Sequence, residues 1–257
     1  MNKLLKRIAI ASLSTFLFST AVQAAQWKTF TDTETGLLLI NGGLSGEKIN
    51  LTSANMVKTS SENLSLLQEP MTSLQQKLAP LVLKYEEGIG RSLKPFNIEK
   101  TPRYEQLDSQ VPLAQKTNEI LKKAYFINSA VETQTTLLPG LEAKLKAGKL
   151  PIEDKAAMAL VSLSLGNFLA QSSKYAQQIP SDSDVLTKQV TAEIDRVQKK
   201  MSANPMSAFQ MGQELQFLME AQSSLGKATE MTQKNVQLLP AQAQKLSSLM
   251  LNIQKLF

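Results

Sequence analysis

Apolar residues recur along most of this chain in steps of three and four. The first run is Leu64, Leu67, Met71, Leu74, Leu78, Leu81 and Tyr85. Strict alternation of 3 and 4 is the seam of a helix packed in coiled-coil fashion. Pro70 and Pro80 stand beside this seam; each removes a backbone donor, which predicts kinks or a split into two helices. A second run, Leu113, Thr117, Ile120, Ala124, Ile127, Val131, Gln134 and Leu138, reaches Pro139-Gly140, a turn signal that predicts its end. A third begins after Pro151 and extends from about Ile152 to Gln178. Its stretch Ala156–Ala170 carries no charge and is apolar on nearly every face, as expected of a helix at the centre of a bundle.

A fourth helix is predicted from Ser181-Asp182-Ser183-Asp184, which offers an N-cap and first-turn carboxylates. Its stripe is Leu186, Val190, Ile194, Val197 and Met201, and Asn204-Pro205 closes it. A fifth carries Met211, Leu215, Leu218, Ala221, Leu225 and Ala228. A sixth follows Pro240 with Leu246, Leu249, Ile253 and Leu256. Connections are short except at residues 88–104, and short loops favour antiparallel neighbours. The predicted fold is all-α: a single bundle of five or six long amphipathic helices over residues 51–257, with no repeat of fixed period. Residues 25–50 read as a separate arm. Thr29, Thr31, Thr33 and Thr35 alternate with other residues, Leu37–Ile40 is a short apolar run, and glycines punctuate it. A small hairpin or an extended segment fits this pattern.

The first 24 residues follow a different logic. Lys3, Lys6 and Arg7 precede the uncharged, mostly apolar run Ile8–Phe18, and Val22 and Ala24 occupy the −3 and −1 positions before Ala25. This is the three-part pattern of a secretory signal peptide, cleaved after Ala24. The apolar run falls short of the about 20 residues a membrane span needs. The expected location is therefore periplasmic or secreted. Cleavage removes three of the 28 basic residues and none of the 22 acidic ones, so the net charge falls from +6 to +3.

Composition narrows the chemistry. The chain has no His and no Cys, which excludes disulfides, thiol nucleophiles, Cys/His zinc sites and His-based triads. Gly42–Lys48 lacks the Gly-Lys-Ser/Thr of a phosphate loop. Ser45-x-x-Lys48 and Ser224-x-x-Lys227 have the spacing of serine acyl enzymes but lack the companion motifs. Asp182, Asp184 and Glu193 occupy positions 1, 3 and 12 of a calcium loop whose positions 5 and 6 are Leu186 and Thr187, unsuited to the role. Five methionines lie between Met201 and Met231 at spacings that do not stack on one helix face; they read as core filler rather than copper ligands. The expectation is a protein with no catalytic constellation, cofactor or metal.

Gly88–Tyr104 is the most distinctive stretch. Arg91, Lys94, Lys100 and Arg103 face Glu99 alone, so this segment equals the whole net charge of the processed chain. Phe96, Tyr104, Pro95 and Pro102 accompany them. Arginine and aromatic residues are enriched at binding hot spots, and long loops often carry function. Arg91, Lys94, Phe96, Lys100, Arg103 and Tyr104 are thus the candidate contacts, on an acidic protein partner or, alternatively, an anionic membrane surface. Nucleic acid is not expected, since no helix carries a basic stripe and aromatics are 5% of the chain. The functional expectation is an exported, non-enzymatic protein acting through protein–protein interaction. The alternatives are a membrane-active protein and a carrier of an apolar small ligand inside the bundle.

Overall fold

The computed structural model describes residues 27–31, 64–96, 103–107, 112–204 and 208–257. Its elements are β1 (Trp27–Thr31), α1 (Ser65–Leu93), a 3-10 turn (Lys94–Phe96), β2 (Arg103–Leu107), α2 (Pro112–Lys146), α3 (Ile152–Ala203), α4 (Ala208–Val236) and α5 (Leu239–Gln254). The all-α bundle is present, with one two-stranded ribbon attached. The proposed signal segment, Leu37–Ile40, Gly42–Lys48 and Lys100 lie outside the described residues.

The six helical patterns resolve into five helices because the third and fourth are one. At 52 residues, α3 is about 78 Å long. Ser181–Asp184, read from the sequence as a helix start, lies within it, and Pro180 does not end it. An interior proline costs about 3 kcal/mol. Here Pro180 is exposed, while Ile179, Ser183 and Leu186 beside it are buried. Burying large apolar side chains at about 1.5–3 kcal/mol each offsets the loss.

The same correction applies to Pro139-Gly140. The α2 helix passes through it with Leu138 and Leu141 buried on either side. It ends instead at Gly148, whose φ of 93° is the left-handed conformation that terminates helices. In α1 the break falls at neither proline but at Tyr85 (φ −123°, ψ 23°). The bend lays the last turns of α1 on the start of α3, where a Cβ on Gly88 would lie 2.5 Å from Glu153 Cγ.

The long basic loop expected at 88–104 is also corrected. Gly88–Leu93 belongs to α1, Lys94–Phe96 to the 3-10 turn, and Arg103–Leu107 to β2. The apolar seam of α1 runs on through Val82, Ile89, Leu93 and Phe96, all buried. β1 pairs antiparallel with β2, Trp27 opposite Leu107 and Thr31 opposite Arg103. This part of the arm therefore finds its partner strand outside the arm.

The topology sets the span that the connection from Phe96 to Pro112 must cover. Gly88 lies beside Glu153 and Gly166 beside Met71, so α1 runs antiparallel to α3. The short turn at 147–151 makes α2 antiparallel to α3 as well. Hence α1 and α2 run the same way. The chain must return from Phe96, which lies beside Lys144 near the end of α2, to Pro112 at its start. That distance is about 48 Å along the helix, close to the reach of 16 extended residues. β2 lies against α2 on this path.

Two apolar cores follow one another along α3. The upper core, at the α2–α3 turn, joins α1, the second half of α2, the first half of α3 and α5. The lower core joins the first half of α2, the second half of α3 and α4. Tyr175 packs against both. Beside it Phe126 stacks on Phe168 (centroids 5.3 Å apart) and meets Tyr175 edge-on at 5.4 Å. All of Ala156–Ala170 is buried, as its lack of charge implies. At its centre Gly166 admits α1 and α5 together: a Cβ there would come 2.7 Å from Met71 Sδ and 3.2 Å from Met250 Cε.

Candidate interaction surface

The six candidate contacts are not gathered in one loop. Arg91 is exposed in the last turn of α1, 3.9 Å from Glu87 one turn earlier, with both side chains largely solvated. Such a pair contributes little to stability. Lys94 is exposed in the 3-10 turn. Phe96, expected as an exposed anchor, is buried at 6% exposure in the upper core. Arg103 and Tyr104 stand in β2, opposite Thr31 and Phe30.

Residues that the sequence reading missed lie near Phe96. Lys144 Nζ sits 5.1 Å from the centre of the Phe96 ring, close enough for a cation–π attraction. Lys146 follows in the same last turn. Both positions suit a helix C-terminus, where a cation complements the carbonyl ends. The signal was present in the run Lys144, Lys146 and Lys149, but the predicted stop at Pro139-Gly140 placed these residues beyond the helix.

Next to this end, α2 and α5 enclose an open groove of about 570 Å³. Its foot is locked by amides: Gln134 Nε2 donates to the Gln242 carbonyl at 2.8 Å, and Gln242 Nε2 donates to the Val131 carbonyl at 3.1 Å. Farther along, Leu145 and Lys146 of α2 face Lys245 and Leu249 of α5 across the groove. Leu249 is buried and Leu145 half-buried, whereas both lysines are exposed.

Elsewhere the polar groups hold the helices together. Lys123 Nζ lies 3.1 Å from Asp182 Oδ2, joining α2 to α3, and Lys188 pairs with Asp184 at 2.7 Å. These two aspartates are therefore partnered by lysines. Arg196 binds Glu193 on α3 and reaches Glu214 on α4 at 2.9 Å. The hydrogen bond from Arg196, with its charge and that of Lys200, outweighs desolvation and holds the Glu193 carboxyl below its ordinary range. The same hydrogen bond raises the Arg196 guanidinium.

Ser224 Oγ donates to the Glu220 carbonyl at 2.6 Å, the usual back-bond of a helical serine. Met201, Met211 and Met231 are half-buried against the lower core, and Met219 is exposed. Among the described residues, no three acidic side chains gather as a metal-binding group and no helix is long and apolar enough to cross a membrane. No family model matches the chain, and no curated protein or solved structure resembles it at a significant level.

Proposed function

We propose that this chain is an exported, non-enzymatic helical protein that acts by binding another protein in the cell envelope or outside the cell. One observation carries the choice over the two alternatives: every residue of the uncharged segment Ala156–Ala170 is buried. A membrane-active protein needs apolar surface to offer to lipid, yet here that segment is enclosed by α1, α2 and α5. A carrier of an apolar ligand needs room inside the bundle. Instead, the stacked Phe126 and Phe168 and the close approach of Met71 and Met250 to Gly166 fill the middle of the upper core. What remains available is the outer surface, with its separate basic positions and the α2–α5 groove. The n-region, apolar run and Val22-x-Ala24 pattern supply the export half of the reading.

The test combines processing with binding. Protein purified from the envelope fraction of the source cells should begin at Ala25 on N-terminal sequencing. Cross-linking in those cells should yield a discrete hetero-complex. The purified protein should neither release dye from anionic vesicles nor take up an apolar fluorescent probe. Retention of Met1–Ala24 contradicts export, and leakage or stoichiometric probe uptake contradicts the binding reading.

A further inference from the structure

We infer that the groove between α2 and α5 at the upper end of the bundle docks an acidic amphipathic helix of another protein. This rests on the protein-binding reading above and names its surface. Gln134 Nε2 donates to the Gln242 carbonyl and Gln242 Nε2 to the Val131 carbonyl, tying the two helices together at one level, and the groove lies beside this clamp. Its floor is apolar, with Leu145 on one wall, Leu249 on the other and Ala241 near the clamp. Lys146 and Lys245 stand on opposite walls, and neither has an ion-pair partner among the described residues. Lys255 donates to Asn252 Oδ1 at 3.2 Å, at the far end of the groove. Glu142 is the one carboxylate in the lining, against the two lysines there.

An apolar floor between cationic walls matches a helix with apolar residues at i, i+3 and i+4 and carboxylates on both flanks. A flat headgroup layer reaches the lysines but not Leu249, which is recessed between the helices. A second copy docked groove to groove sets the same lysines against these.

A photo-reactive residue in place of Ser248, at the mouth of the groove, tests this in the full-length protein produced in its source cells. The expected adduct is a protein whose cross-linked peptide is rich in Asp and Glu and has helical apolar spacing. The double variant Lys146→Glu, Lys245→Glu should lower the adduct at least tenfold. Ala241→Trp, which blocks the groove without changing charge, should do the same. Both variants should keep the wild-type melting temperature, because all three positions are exposed. Adducts only to lipid or to a second copy, or no adduct at all, overturn the inference. So does an unchanged yield in the variants. A hetero-complex that survives in both variants sinks the groove while leaving the protein-binding reading intact; the absence of a complex from any labelled position, including exposed Val185, sinks both.

Discussion

Ser247 Oγ on α5 donates a hydrogen bond of 3.2 Å to the carbonyl of Leu66 on α1, the carbonyl that Pro70 leaves without its intrahelical donor. A helix defect is thereby converted into a tertiary contact. A second bond links the same two helices one turn along α1, where Gln254 Nε2 donates to the Pro70 carbonyl at 2.8 Å. The two bonds register the C-terminal helix against the first one, with Leu246, Leu249, Met250 and Ile253 buried beneath them.

A double-mutant cycle isolates this pairing. Ser247→Ala should cost about 1 kcal/mol in denaturant unfolding. In a Pro70→Ala background, where residue 70 again donates to Leu66, the same change should cost well under half as much. Equal costs in both backgrounds would show that Ser247 does not compensate for the proline.

The burial of Ala156–Ala170 predicts intolerance to charge. Leu163→Asp and Leu165→Asp each place a carboxylate at a site with 2% or 1% exposure, with no cation provided. A loss of about 3–5 kcal/mol, or failure to fold, is expected. A Leu165→Asp variant with wild-type unfolding midpoint would mean that this face of α3 is open to water.

Two glycines with opposite roles give opposite outcomes. Gly140 is interior to α2 with open space where a Cβ would stand. Gly140→Ala should therefore stabilise by about 0.5–1 kcal/mol. Gly148 ends that helix at φ 93°, so Gly148→Ala should destabilise by about 1–2 kcal/mol. Thermal melts of the two variants should move in opposite directions, and a shared direction would contradict the assigned end of α2.

The Glu193–Arg196 pair gives a pH signature of known sign. Folding lowers the Glu193 pKa, so its contribution is present above the unfolded value of 4.5 and is lost as the pH falls through the lower folded value. Arg196 stays charged throughout. Wild-type protein should lose stability below pH 4.5 faster than Glu193→Gln, by a small margin because both side chains are more than a third exposed. Parallel stability curves over that interval would remove the pair from the acid response.

Much of the bundle was legible because apolar spacing is set by helix geometry alone. Ile120, Ala124, Ile127 and Val131 are all buried as their 4, 3, 4 rhythm predicts. The departures share one physical cause: burial on either side outweighs local stop chemistry. Pro139-Gly140 yields to Leu138 and Leu141, and Ser181–Asp184 yields to Ile179 and Leu186. The seam continuing through Ile89, Leu93 and Phe96 was also present, but Gly88, Gly90 and Pro95 obscured it. The candidate surface was less legible, because Lys146 and Lys245 are about a hundred residues apart and meet only through the parallel course of α2 and α5. Phe96 illustrates the reverse, a residue that looks like an anchor by type and is core by position.

Both cores are assembled on α3 as one uninterrupted helix. The cysteine-free chain allows a direct test by spin labels on cysteines placed at Asp154 and Lys199, near the two ends of α3. Electron–electron dipolar spectroscopy should show one narrow distance distribution near 68 Å, the rise of 45 helical residues. A main population below about 25 Å, from a chain that folds back at Pro180 so that its two arms lie side by side, would contradict the continuous helix and with it the end-to-end arrangement of the two cores.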